Sequence, residues 1–370
     1  GHEHGGSGIG ARLGASALRQ VADGGREGGS SMEAPRVDRS DKRPQEAALG
    51  VQELAVRFGT ISPAPEIIGT YVTATSLLAT MLGFVGDREM SKLFLSHLKD
   101  IAEPLEASDP LVRAWMHYAL GRCTVHWASV EHFRISSESF QAIFDRRMII
   151  VALADLGFAL ARVGATAAGE AKLREALAPA IRLDDPVALS WVQMYLALLL
   201  SERKDPAALA EAKQLTHSIL KTIGETSYYS GVAFCALAGI YHTEGNQAAA
   251  DEVTLKALAT LRRITANAPL AFIARTRLLL TQGNFAEAVQ VAAEGVAVVD
   301  AQAEASGSEV PLRGLYVQAL RAAGEHDRAD REEATLQRQI ALRAQEIADP
   351  ELRDGYLARI EMRNAIVPLF

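Results

Sequence analysis

The sequence predicts an all-α fold, a solenoid of about seven helix hairpins closed by a capping helix. Three observations predict it. The 370 residues are 49% hydrophobic but only 6% aromatic, with alanine and leucine, both good helix formers, supplying much of the apolar share. Helical periodicity sets in at Ala47 and persists to about Ile360, while alternating Val/Ile/Thr runs are scarce. A glycine turn recurs: Gly245, Gly283 and Gly324 lie 38 and 41 residues apart.

Taken in chain order, residues 1–46 differ from the rest. Ten of the first 29 residues are glycine, followed by a charged stretch from Glu33 to Glu46 with Pro35 and Pro44. Little there can be buried, so the segment reads as a tail with at most a short helix over Ala11–Ala22. The chain opens on Gly1 and not Met, which reads as a processed, tagged or excised start, with Met32 as a possible internal one. Residues 47–370 form the second division.

The clearest repeat surrounds Gly245, with Phe234, Leu237, Ala238 and Tyr241 before it and Ala250 and Ala257 after it. A second surrounds Gly164, with Leu153, Leu156, Gly157 and Leu160 before and Gly169, Leu173 and Ala176 after. A third surrounds Gly283, and weaker copies surround Gly86 and Gly324. The doubled gaps need two more units, one near residue 127 and one turning at Lys204-Asp205-Pro206. Small residues at fixed places let two helices approach closely, and glycine tolerates the left-handed backbone that ends the first helix. A single hairpin cannot bury its apolar face, whereas a stack can. The Arg-, Glu- and Gln-rich helix from about 326 to 348 then serves as a polar cap, with a coiled-coil pairing as the alternative. The apolar Ile366-Val367-Pro368-Leu369-Phe370 is expected to fold back on it.

Charge and motifs exclude several functions. The formal charge is −7, and no segment concentrates Lys and Arg enough for a row of phosphates, so nucleic acid is not an expected partner. No apolar run is long enough to span a membrane, and no basic-then-apolar leader opens the chain. Cys123 and Cys235 have neither metal nor redox spacing, which suits a reducing, cytoplasmic setting. Gly6-Ser7-Gly8-Ile9-Gly10 has the look of a dinucleotide loop but lacks the preceding strand. His2 and His4 belong to the tail. Cys123, His126, His117 and His132 do not complete four metal ligands. Asp184-Asp185 and Glu332-Glu333 point about 100° apart on a helix and cannot act as an acid/base pair. No catalytic motif, cofactor or metal is expected, and the chain reads as a non-enzyme.

The Phe234…Leu237-Ala238…Tyr241…Gly245…Ala250…Ala257 set resembles the tetratricopeptide repeat over about residues 60–345. It departs from that family in its longer period, where 34 residues is usual, and in the mostly missing final proline. The resemblance implies a right-handed superhelix whose first helices line a concave groove that binds a protein or peptide. Carried over position by position, the groove residues are Trp115, Tyr118, Arg122, Val151, Ala154, Phe158, Trp191, Met194, Leu198, Cys235, His242, Ile273 and Arg277. Such a lining would suit a peptide with an acidic residue, anchored by aromatics. Three stretches, 105–110, 172–177 and 349–357, also resemble the C-terminal repeat region of bacterial multidomain signalling proteins, including eukaryotic-like serine/threonine kinases and large ATPase regulators. That resemblance implies an upstream catalytic domain, with this chain as the docking or sensing part. The alternative reading is a sensor whose curvature changes when it binds a small molecule or signal peptide.

Overall fold

The computed structural model describes residues 67–85, 87–124, 126–203, 205–262, 267–301 and 308–365. Among them there is no strand. The helices are α1 (Ile68–Val85), α2 (Arg88–Ala102), α3 (Pro110–Cys123), α4 (His126–Ala142), α5 (Arg146–Arg162), α6 (Thr166–Leu183), α7 (Pro186–Ser201) and α8 (Pro206–Ile223). They continue as α9 (Tyr228–Thr243), α10 (Gln247–Leu261), α11 (Ala268–Thr281), α12 (Phe285–Asp300), α13 (Glu309–Ala322), α14 (His326–Glu346) and α15 (Pro350–Ala365). Among the described residues, consecutive helices pack as seven hairpins, α1/α2 to α13/α14, followed by α15. No helix among the described residues is long and apolar enough to cross a membrane.

The glycine turns behave alike. Gly164, Gly245, Gly283 and Gly324 all have φ between 75° and 98°. In each, the residue after the glycine donates to a carbonyl five residues back: Ala165 to Leu160 (3.0 Å), Asn246 to Tyr241 (2.8 Å), Asn284 to Leu279 (2.9 Å) and Glu325 to Leu320 (2.9 Å). This is the bond that satisfies the last carbonyls of a helix when the chain turns left-handed. Gly86 and Lys204 lie outside the described residues, as do the tail 1–46 with its glycine loop, His2 and His4, and Ile366–Phe370. Helix starts follow another rule. Asp109, Asp185 and Asp205 each precede a proline and accept from two backbone N–H groups of the first turn. Proline gives up a donor that the first turn could not use anyway, while the carboxylate takes two that it could not otherwise satisfy.

First helices form the inner row. α7 packs on α5, α9 on α7, α11 on α9 and α13 on α11, whereas the second helices pack on their hairpin partners and on the next first helix. These inner helices are buried almost all round. In α9 the run from Tyr228 to Ile240 is wholly buried. Among the described residues two large apolar cores result, one from α1 to α5 and one from α5 to α14, with α5 contributing side chains to both, and two small clusters lie within α1/α2 and α13/α14.

The polar helix expected over about 326–348 is α14. It is the second helix of the seventh hairpin, with only Ala329, Leu336, Ile340 and Ala344 buried. It does not end the structure. Asp349 starts a further helix, accepting from the Glu351 and Leu352 N–H groups at 2.8 and 3.1 Å.

Candidate functional site

Between α3 and α5 the inner row is bridged by side chains. Arg122, on the last turn of α3, donates from Nη1 to Asp155 Oδ1 at 3.1 Å and to the Tyr195 hydroxyl at 3.4 Å. Trp191 on α7 donates from Nε1 to the same Asp155 oxygen at 3.2 Å. The Arg122 guanidinium also lies over the Trp191 ring, 5.1 Å from its centroid. Asp155 is 1% exposed at its side chain and Arg122 15%. Burial pushes the Asp155 carboxyl above its ordinary range, and the Arg122 charge pulls it back. Among the described residues, Arg122 Nε has no hydrogen-bond partner.

An aromatic floor surrounds this pair. Phe158 stacks on Tyr195 with centroids 4.2 Å apart and planes at 11°. Trp191 stands edge-on to Tyr195 (6.0 Å) and to Tyr229 (5.9 Å). Tyr228 meets Phe84 of the first hairpin at 5.0 Å, so the coil brings α1 and α9 together. A second guanidinium, Arg162, lies 5.7 Å over the Phe158 ring. Burial raises the phenols of Tyr118, Tyr195, Tyr228 and Tyr229, so all four are neutral donors at physiological pH. The ensemble holds two cations and one buried carboxylate, a net positive site with aromatic walls.

Of the residues expected in a groove, Tyr118, Arg122, Phe158 and Trp191 meet here. Val151 and Leu198 are half-buried and pack against the apolar cores. Four others are buried, as Tyr118 also is. Trp115 is buried edge-on against Phe140 of its own hairpin, 5.3 Å away. Met194 is fully buried, and Cys235 and Ile273 are buried in the longer core. Ala154 is likewise fully buried. Cys235 donates to the Gly231 carbonyl, and burial pushes its thiol up to about 12. The reason is common to all. On helices that bury nearly every position, apolar spacing cannot separate the face toward the groove from the face toward the next repeat. His242 and Arg277 are half-buried on α9 and α11, and His242 sits 3.3 Å from Gln247.

Sequence reasoning missed Asp155, Arg162, Tyr195, Tyr228 and Tyr229. Asp155 carried a usable signal, a lone acid amid the apolar run Ile149–Phe158, and Tyr195 stands one turn after Trp191. Elsewhere, His117 and His132 meet at 2.9 Å, and His117 also meets Glu106 at 2.9 Å. Cys123 Sγ lies 3.5 Å from Ser91 Oγ. Among the described residues no group of three potential ligands could hold a metal ion. Asp184 ends α6 with φ of 54° while Asp185 caps α7, and Glu332 and Glu333 pair with different arginines, Arg313 and Arg321.

No protein-family model matches this chain, and no curated protein matches it. Two solved structures are similar along nearly their whole lengths. One is a Rap protein complexed with Competence and Sporulation Factor, with a TM-score of 0.58 and 12% identity, covering 96% of this chain and 96% of that one. The other is NprR in complex with its cognate peptide NprX, with a TM-score of 0.56 and 12% identity, covering 95% of this chain and 97% of that one. At that identity the likeness is one of fold.

Proposed function

We propose that this chain is a non-catalytic peptide-binding receptor, and that its ligand is a short peptide carrying a carboxylate between apolar or aromatic residues. The observation that carries the reading is the Arg122 guanidinium, held by Asp155, lying over Trp191 in an aromatic floor and still 15% exposed at its side chain. A guanidinium fixed in this way is already desolvated and oriented, so a carboxylate meets a preorganised partner. Arg162 over Phe158 supplies the second cation of the same floor. The complexes of the two similar structures, one of them with a peptide, support this reading.

The stretches that suggested a multidomain signalling parent have local explanations. Asp109 and Asp349 are helix caps, and in 172–177 Leu173 and Ala176 are core residues while Lys172 and Glu175 pair on the surface. They lend no support to a kinase or ATPase context. Cys123 and Cys235 stand on different helices and form no disulfide, which fits the reducing setting we propose, the cytoplasm.

Selection of hexapeptides from a displayed random library on the full chain tests the proposal. The expected outcome is an enriched pool with one acidic position, whose binding weakens about tenfold or more in Arg162→Gln, the loss of one charge-assisted hydrogen bond. A pool without an acidic preference removes the assigned chemistry. Failure to enrich any peptide removes the receptor reading.

A further inference from the structure

The last helix does something that a cap at the end of a stack cannot do. One side of α15 packs on the seventh hairpin, where Leu357 and Ile360 meet Val310, Leu336 and Ile340. Its other side reaches the third and fourth hairpins. Arg359 donates to the Ala161 carbonyl at the end of α5, and pairs with Glu202 at the end of α7 at 2.8 Å. One turn before Arg359 the backbones of Gly355 and Gly164 touch: a Cβ on Gly164 would collide with the Gly355 carbonyl. Two further contacts run along the same seam. Arg162 donates to Ser308 Oγ at 3.3 Å, and Arg343 of α14 lies 5.4 Å over the Trp127 ring of α4.

Resting on the receptor reading above, we propose that α15 is an autoinhibitory latch. It closes the coil by tying the seventh hairpin to the α5–α6 turn through Gly355 and Arg359, and it releases when a peptide takes the aromatic floor. The physical link is Arg162. One guanidinium stacks on Phe158 in the floor and bonds Ser308 in the seam. A ligand carboxylate that draws Arg162 to itself withdraws it from Ser308, so ligand and seam compete for one side chain. The seam is suited to release. Its contacts include those of Arg162, Arg343 and Arg359 and the glycine crossing, while Leu357 and Ile360 of α15 pack on the seventh hairpin. A ligand can shift a closed–open equilibrium only by its differential affinity for the two forms, and a competed side chain provides that difference.

Hydrogen exchange and peptide kinetics on the full chain test this together. Gly355→Leu extends a side chain beyond a Cβ position already in contact with the Val163 carbonyl at 3.5 Å and with Gly164 at 3.7 Å, and Arg359→Glu opposes Glu202, with the exchange Glu202→Arg/Arg359→Glu restoring the pair. The expected result is about tenfold faster exchange over 350–360 and over the α5–α6 turn in either single variant, return toward wild type in the exchanged pair, and unchanged protection in α9 to α12. Unchanged exchange over 350–360 in Gly355→Leu shows that α15 is not docked there, and the latch falls. The second arm uses the hexapeptides selected above. They should associate several-fold faster with Gly355→Leu than with wild type, since less of the population is closed. An unchanged or slower association overturns the latch while leaving the receptor reading in place. Absence of any selected peptide overturns the receptor reading and the coupling with it, and the exchange arm alone then reports whether α15 is docked.

Discussion

Arg122 and Asp155 form a largely buried pair. Both are buried, and each satisfies charge that the other leaves in a low-dielectric surrounding. Asp155→Asn should lower stability by about 3 kcal/mol or more, because it strands a buried guanidinium. The comparison is Arg134, which pairs with Glu131 and Glu138 on the exposed face of α4; Arg134→Ala should cost about 0–1 kcal/mol. Urea midpoints at constant slope measure both, and equal losses would contradict the burial argument. His132 supplies a pH dependence. Burial, then His117 and Lys99, hold its pKa down near 4, with Glu131 and Glu106 opposing. The unfolded chain therefore binds a proton that the folded chain does not between about pH 6.5 and 4, so this group's contribution to stability falls as pH falls through that window. A melting-temperature series against pH should be flatter in His132→Asn than in wild type over the same range. At this scale the sequence marked Arg122, Phe158 and Trp191 as candidates but could not reveal Asp155 as their partner. The four residues come from three helices, and only packing sets which turns of those helices meet.

The hairpin is the element the sequence encodes best. Each turn glycine is needed for a backbone conformation that other residues resist, and each Asp-Pro start places a cap and a missing donor at the one position where both help. Asp185 has a second duty, since Arg147 pairs with it at 3.1 Å across to the neighbouring hairpin. Asp185→Ala should cost about 1–2 kcal/mol, at the upper end for a lost cap, whereas Asp205→Ala, which loses only the cap, should cost about 1 kcal/mol. Thermal unfolding of the two variants compares them. Gly157 and Gly169 face each other within the third hairpin, and a Cβ on Gly157 would stand 2.7 Å from the Gly169 carbonyl. Gly157→Ala should therefore destabilise by about 1–3 kcal/mol although alanine is the better helix former, because α5 and α6 must move apart. A stabilised Gly157→Ala would show that the crossing is looser than described. The elements without such punctuation were the harder ones to see. The turn after α3 has no glycine, and Thr124 leaves the helix in extended backbone, which explains the weak repeat near residue 127.

The described helices form a stack whose two large apolar cores share α5. In such arrays each repeat is stabilised chiefly by its neighbours, so cooperativity follows the continuity of the core. The α1–α5 core is the smaller, and exchange in moderate urea should open α1 to α4 before α7 to α12. Loss of protection at one urea concentration throughout would indicate a single cooperative unit. The same stack brings distant segments together: Phe84 against Tyr228, Arg343 over Trp127 and Gly355 against Gly164. None of these contacts has a local signature. By itself the sequence determined the helices, their pairing and the repeating turns, because helix propensity, caps and left-handed glycines act within a few residues of one another. Only the tertiary structure decided which faces of the inner helices are open and where the coil closes. Helices buried on nearly every side carry no periodic record of what each side touches. Closure, likewise, depends on small rotations that add up over seven repeats and are stated in no single one.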